Sequence, residues 1–176
     1  MHYTKTAISL HWLVALMLFG MFAFGLYMVE LPLSPQKLKY YSYHKWAGVT
    51  VFLLVLVRLA WRIAHRPPEL PAGMNPLQIR LAKGGHHLLY LLMVLAPLSG
   101  WLMSSAKGFQ TVWFGVLPLP DLLPKDEALG EALLWVHRVL NWFFMLVVAG
   151  HVIAALKHQF VDRDGLMSRM LPFRGD

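Results

Sequence analysis

The stretch Ala132–Leu156, ALLWVHRVLNWFFMLVVAGHVIAAL, decides the fold. It exceeds the roughly 20 apolar residues that a helix needs to cross a bilayer. It also carries two histidines, His137 and His151, fourteen residues apart. On an α-helix that separation is close to four full turns, so both imidazoles face one side, about 21 Å apart along the axis. Imidazole inside a membrane is costly and marks function. Two imidazoles stacked at this spacing point to two stacked haems, one near each membrane surface, and so to a path for electrons.

The rest of the chain agrees with a membrane setting. Of its 176 residues 57% are hydrophobic and only 14% are charged, where a soluble domain carries about 25% charged residues. Cysteine is absent, which excludes disulfides, thiolate metal sites and the C-x-x-C-H attachment of a c-type haem. Any haem is therefore non-covalent and b-type. Four apolar segments follow one another, roughly 8–29, 45–64, 88–105 and 132–156, separated by proline-rich breaks such as Pro32 and Pro35, Pro67 to Pro76, and Pro118 to Pro124. The first lacks a cleavage site and reads as a retained span rather than a signal peptide. The expectation is an all-α, integral membrane four-helix bundle forming a single domain over residues 1–176.

The net charge of +7 reads as topology rather than nucleic-acid binding. Ten of the sixteen basic residues fall on the N-terminal flank, the second loop and the C-terminal tail, among them Lys5, Arg58, Arg62, Arg66, Lys157 and Arg174. The other side holds Lys37, Lys39, Lys45, Lys107, Lys125 and Arg138. The positive-inside rule puts both termini in the cytoplasm of a multi-pass inner-membrane protein.

Topology then sorts the histidines by depth. His44 and His137 are the two available on the outer side, so the outer pair is nearly forced. The inner pair must come from His11, His86, His87, His151 and His158. Register with His137 favours His151, and the apolar run Ile8-Ser9-Leu10-His11-Trp12-Leu13 favours His11. His65 falls at the inner border and His2 at the terminus. A histidine on each face of the iron leaves no position open for oxygen and suits outer-sphere electron transfer. Each ligand needs an acceptor on its other ring nitrogen. Gly48 and Gly150 are the candidates for making room for a porphyrin.

Other residues carry two readings each. Arg58 lies fourteen residues after His44; it would pair with a haem propionate or snorkel to headgroups. His158, seven residues past His151, would hydrogen-bond a quinone and take part in its protonation, or simply contact headgroups. Ser9 and Trp12 are weaker candidates for the same quinone pocket. Lys37, Lys39 and Lys45, interleaved with Tyr40, Tyr41 and Tyr43, form a basic, aromatic patch beside the outer pair. That patch would attract a small anion or dock an acidic electron-transfer protein, or else anchor the chain in the interface. The segment from Lys107 to Glu131 reads as a surface lid.

Several runs together resemble the bacterial cytochrome b561 family over essentially the whole chain. They are Ser9-Leu10-His11-Trp12, His44-Lys45-Trp46-Ala47-Gly48, Val57-Arg58-Leu59 with its trailing prolines, and Gly85-His86 before Tyr90. Trp135-Val136-His137, Gly150-His151, Ala155-Leu156-Lys157-His158 and the end from Asp164 to Arg169-Met170-Leu171-Pro172 complete the set. Singly these are weak; their order and spacing are specific. The resemblance implies a four-helix bundle with two b haems, held by His11/His151 on the cytoplasmic side and His44/His137 on the periplasmic side. It implies no ligand role for His86.

Members of the family move electrons between quinone and another redox partner. One type oxidises periplasmic superoxide to oxygen and reduces ubiquinone. The family also resembles the cytochrome b subunits of hydrogenases and formate dehydrogenases. Two functions follow as expectations: a superoxide:ubiquinone oxidoreductase, or a non-enzymatic subunit passing electrons between the quinone pool and a periplasmic redox protein. A third and more distant one is a haem-free transporter using the histidines as a proton relay. The outer loops, where a donor would be recognised, are where this chain departs most from the superoxide-oxidising type.

Overall fold

The computed structural model describes residues 3–70 and 73–171. His2, Pro71, Pro172 and Arg174, used in the reading above, lie outside the described residues. Four helices follow in order, α1 (Lys5–Glu30), α2 (Pro35–Ala64), α3 (Pro76–Ala106) and α4 (Glu127–Lys157). All four are long and apolar enough to cross a membrane. The chain is an all-α, four-helix membrane bundle.

Each helix starts where a short polar side chain can take an orphan backbone N–H. Thr4 accepts from Ala7 N–H at 3.2 Å, Ser34 from Lys37 at 3.2 Å and Asp126 from Leu129 at 3.0 Å. Asn75 forms a capping box with Gln78. Pro35 and Pro76 occupy first-turn positions, where no N–H is needed. These caps explain why α2 and α3 begin at Pro35 and Pro76, well before the apolar spans at 45 and 88. Hydropathy marks the part of a helix in hydrocarbon, while the cap marks where the helix starts.

Neighbouring helices run antiparallel. Arg58 near the end of α2 reaches His11 near the start of α1, and His86 early in α3 meets His151 late in α4. The backbone of α1 packs on α2, α2 on α3, and α3 on α4. Among the described residues, α4 packs extensively on neither α1 nor α2. A seam therefore runs between α4 and the α1–α2 pair, bridged by rings such as Phe22 and Trp142, 5.1 Å apart.

The buried core is small. It consists of Val14, Val51, Val55, Leu92, Met93, Ala96 and Phe144, drawn from all four helices. Large apolar side chains point outward instead, with Leu16 and Leu146 each 69% exposed. Helices that are apolar all round suit lipid on the outside.

At one end, the segment between α3 and α4 folds into a hairpin of β1 (Val112–Trp113) and β2 (Leu117–Pro118). Its turn places Phe114 at φ 51° and Gly115 at φ 72°. A type I′ turn needs two positive φ values in succession. Phe114 accepts an unfavourable conformation there, with its ring packed on Trp46 at 5.6 Å. Trp46 Nε1 donates to Val112 O at 2.6 Å, and Trp113 Nε1 donates to Thr50 Oγ1 at 3.3 Å. The expected lid is thus pinned onto α2. The other end carries the first and the last of the described residues. Here a π-helical turn (His158–Asp162) and a short 3₁₀ turn (Met167–Met170) follow α4.

Candidate functional site

A fourteen-residue interval recurs in every helix. It separates His11 from Gly25 in α1, His44 from Arg58 in α2, His86 from Gly100 in α3 and His137 from His151 in α4. Because the helices alternate in direction, the interval builds two levels about 21 Å apart. The hairpin level holds Gly25, His44, Gly100 and His137. The terminal level holds His11, Arg58, His86 and His151.

At the hairpin level the two imidazoles sit on glycines. A Cβ at Gly25 would lie 3.3 Å from His44 Cε1, and one at Gly100 would lie 3.1 Å from His137 Cε1. The Ser99 hydroxyl donates its one proton to Ala96 O at 2.7 Å, and its oxygen lies 2.8 Å from His137 Nδ1. His137 therefore donates from Nδ1–H and keeps a lone pair on Nε2. Asn141 Nδ2 is anchored on His137 O at 2.7 Å, beside the same ring. His44 Nδ1 is buried without a hydrogen-bond partner. An orphaned imidazole nitrogen opposite a fixed imidazole fits a haem iron better than a purely structural core, which pairs its polar atoms.

The terminal level is crowded. The His11 and His151 rings have centroids 6.3 Å apart across the seam, a separation that one iron between two ring nitrogens spans. His86 is nearer still to His151, at 5.5 Å. His86 Nδ1 donates to Ala82 O at 2.7 Å, which leaves its Nε2 lone pair free. Arg58 Nη2 lies 3.1 Å from His11 Nδ1 and Nη1 lies 3.3 Å from Ala7 O. A guanidinium only donates, so His11 accepts at Nδ1. Ligation through Nε2 needs the other tautomer, and hence needs Arg58 to release that ring.

Between the levels lies an apolar plug. Val51, Met93 and Phe144 each stand midway along their helix's fourteen-residue interval, and all three are buried, Phe144 to 1% exposure. The plug excludes water from the space that separates the two imidazole sets.

Other candidates fall outside these levels. His158 lies in the π-helical turn with Asp162 and Asp164 as its polar partners. Trp12 stands edge-on to His11 at 5.4 Å and donates from Nε1 to Met170 O at 2.7 Å, tying the C-terminal tail to α1. Ser9 is exposed on α1, and among the described residues it shares no hydrogen bond with His158. Of the lysine patch, Lys37 Nζ caps the end of α1 at Val29 O, 2.9 Å away, and Lys45 Nζ holds Phe109 O at 2.8 Å. Lys39 lies over the Tyr43 ring at 5.9 Å.

The sequence reading missed Gly25, Gly100 and Ser99. Of the two glycines expected to make room for a porphyrin, Gly48 faces Met21 Cε at an ordinary 3.6 Å, and Gly150 borders open space with nothing within 4 Å. The signal that would have found Gly25 and Gly100 was the interval itself, since Gly25 follows His11 and Gly100 follows His86 by the same fourteen residues.

Membrane-length helices enclosing paired, half-buried imidazoles are the architecture of membrane cytochromes b. The family model described as prokaryotic cytochrome b561 matches residues 2–173, and the chain belongs to that family. It is a transmembrane cytochrome that binds b-type haem and carries electrons, a multi-pass protein of the bacterial inner membrane. Cytochrome b561 homolog 2 of Escherichia coli (strain K12) is 32% identical, over 96% of this chain and 90% of its own. Cytochrome b562 of Cereibacter sphaeroides is 30% identical, over 96% and 94%. The probable superoxide oxidase CybB of Yersinia pestis is 26% identical, over 97% and 96%.

Proposed function

We propose that this chain moves electrons across the membrane between two b haems, taking them from superoxide on the periplasmic side and delivering them to ubiquinone. In this reading His44 and His137 would hold the haem at the hairpin end, which faces the periplasm. His11 and His151 are the ligands at the terminal end, in the cytoplasmic leaflet. The observation that carries it is the pair of imidazole levels across the open seam of α4. When bound, the haems would supply two one-electron stations for outer-sphere electron transfer.

The chain's own residues do the rest. Ser99 fixes the His137 tautomer, and Gly25 and Gly100 admit the hairpin-level rings. Arg58, 3.1 Å from His11 Nδ1, would pair with a haem propionate and so leave that nitrogen free. Lys39, with the fixed charges of Lys37 and Lys45, raises the local concentration of a small anion. Two superoxide anions give up one electron each and leave as two molecules of oxygen. Ubiquinone takes those two electrons and two protons and leaves as ubiquinol, with His158 beside it. The likeness to the probable superoxide oxidase supports this choice of donor.

Stopped-flow haem absorbance tests the proposal. Oxidised, detergent-purified protein is mixed with superoxide, with and without ubiquinone. Fast reduction followed by quinone-dependent reoxidation is expected. Haem that stays oxidised would sink the superoxide reading and leave an electron-transfer subunit with a periplasmic protein as donor.

A further inference from the structure

Beyond the helix that carries His137 and His151, the chain makes an unusual turn. α4 passes at His158 into a π-helical turn that ends at Asp162. Arg163 then takes a left-handed conformation, φ 52°, and Gly165 another, φ 74°. π-turns are rare and collect at functional sites. A left-handed arginine is strained, and such strain persists where the surroundings impose it. The result of this path is local and specific: it brings Asp164 back onto His158.

The contacts are well defined. Asp164 Oδ2 lies 2.6 Å from His158 Nδ1. Asp164 Oδ1 accepts from Leu166 N–H at 3.0 Å, so the carboxylate is fixed at both oxygens. The Asp162 carboxylate also approaches His158 Nδ1, at 3.2 Å, but Lys157 Nζ sits 2.7 and 2.6 Å from its two oxygens. Asp164 and His158 are largely buried, each with 18% of the side chain exposed. The segment is held at its far end by Met170 O, which accepts from Trp12 Nε1 beside His11.

We propose that Asp164 is a positioning residue for quinone protonation: it locks His158 with its proton on Nδ1 and so turns Nε2 toward the quinone as the group that gives and regains a proton. The proposal rests on the reading of His158 as the quinone-side histidine. Each quinone reduced takes two electrons, supplied through the protein by its donor, and two protons. The His158 imidazolium gives its Nε2 proton to a quinone carbonyl oxygen. It is left neutral with Nδ1–H still on Asp164, and it regains a proton from water before the second transfer. Without Asp164 only the longer contact to Asp162, at 3.2 Å and shared with Lys157, would favour the proton on Nδ1, and part of the population would present the wrong nitrogen.

A divalent cation is the rival occupant, because ligand atoms of His158, Asp162 and Asp164 lie within 4.8 Å of one another. The Lys157 ammonium on both Asp162 oxygens speaks for the hydrogen-bonded network instead.

The test uses haem-loaded protein in detergent, fully reduced so that low-spin iron does not broaden the spectrum. Histidine ¹⁵N shifts, with His158 assigned by its loss in His158→Gln, report which nitrogen is protonated. The wild type should show Nδ1–H with a bare Nε2, and Asp164→Ala should move His158 toward the Nε2–H form. In stopped-flow reoxidation by a short-chain ubiquinone, Asp164→Ala should lower the maximal rate roughly tenfold or more and leave the quinone KM within about twofold. Asp164→Asn, which keeps an acceptor oxygen, should recover part of that loss. An Nε2–H wild type, or an Asp164→Ala protein with wild-type tautomer and rate, would overturn the role of Asp164. A His158→Gln protein that reoxidises at the wild-type rate would instead overturn the quinone reading beneath it. Stoichiometric Zn²⁺ binding by the wild type and not by Asp164→Ala would assign the three side chains to a metal.

Discussion

The two levels of the bundle are built from the same interval by opposite means. At the hairpin level two helices contribute glycine and two contribute histidine, so each imidazole has a flat seat and no competitor. At the terminal level all four helices contribute a long polar side chain, and three imidazoles and a guanidinium share one layer. The hairpin level is preorganised for one pair of ligands, with the His137 tautomer already set by Ser99. The terminal level has to choose among its residues, and Arg58 currently occupies the nitrogen that a bound His11 would have to protonate. A simple level can be assigned by elimination; a crowded one needs an experiment.

The largest effects should come from removing the ligands. With the two haems proposed above, His44→Ala or His137→Ala should cut the haem content of purified protein from two per chain to one, read by the pyridine haemochrome assay. His151→Ala should do the same at the other level. The sharpest form of the comparison is His11→Ala against His86→Ala. Loss of one haem in the first and retention of both in the second would pair His11 with His151. The reverse outcome would give that place to His86, whose ring is nearer and whose Nε2 is already free.

Next come the seats. A methyl at Gly100 would press on His137 at 3.1 Å from Cε1 and 3.4 Å from Nδ1. Overpacking of this kind costs about 1–3 kcal/mol, so Gly100→Ala should weaken retention of the hairpin-level haem by roughly ten- to a hundredfold in a haem-transfer assay. Gly25→Ala, with its closest approach at 3.3 Å, should act in the same direction but less. Gly48→Ala and Gly150→Ala should change little. Equal effects at all four glycines would break the claim that the hairpin level has dedicated seats.

What the sequence made legible follows from the same physics. A histidine in an apolar run stands out, because burying it is costly, so the interval in α4 was visible at once and α2 extended it to Arg58. Glycine in a membrane helix is common and carries no sign of what lies opposite, so Gly25 and Gly100 were hidden even though their spacing was in plain view. Ser99 was hidden because its worth depends on where Ala96 O and His137 Nδ1 lie in space. The starts of α2 and α3 were misjudged for another reason: Pro35 to His44 and Pro76 to His87 are helical but too polar for a hydropathy reading. Charges were read correctly as charges, yet not as fasteners. Lys37 and Lys45 looked like a free patch, and both spend hydrogen bonds on carbonyl oxygens.

Ser99 gives the next effect down. Ser99→Ala removes the acceptor for His137 Nδ1–H while leaving the ring in place. Loss of such a partner typically lowers metal affinity 10–100-fold, but a bound haem iron is held from both sides, so the expected outcome is about tenfold faster haem loss with both haems still present after purification. Asn141 presents only its donor Nδ2 beside the ring, so it offers no replacement acceptor. Ser99→Thr, which keeps the hydroxyl, should behave as wild type. An Ser99→Ala protein that differs from wild type in neither haem loss nor reduction potential would show that the hairpin level is set by its glycines alone.

The smallest effect belongs to the approach of the donor. Lys39 is the member of the patch whose ammonium lies over a tyrosine ring rather than on a backbone carbonyl, so Lys39→Gln removes a charge with the least structural damage. One exposed charge contributes little on its own, and its field fades within about 10 Å at 0.1 M salt. The expected change in the rate of haem reduction by superoxide is therefore a decrease of about two- to threefold at low ionic strength that vanishes as salt is raised. Lys45→Gln should differ in kind, because it also releases Phe109 O and loosens the segment over the hairpin level, a defect that salt cannot mask. If the two variants show the same salt dependence, the patch acts by charge alone. If only Lys45→Gln slows reduction, the lysines matter for holding the loop, and the attraction of a small anion must come from elsewhere on the periplasmic face.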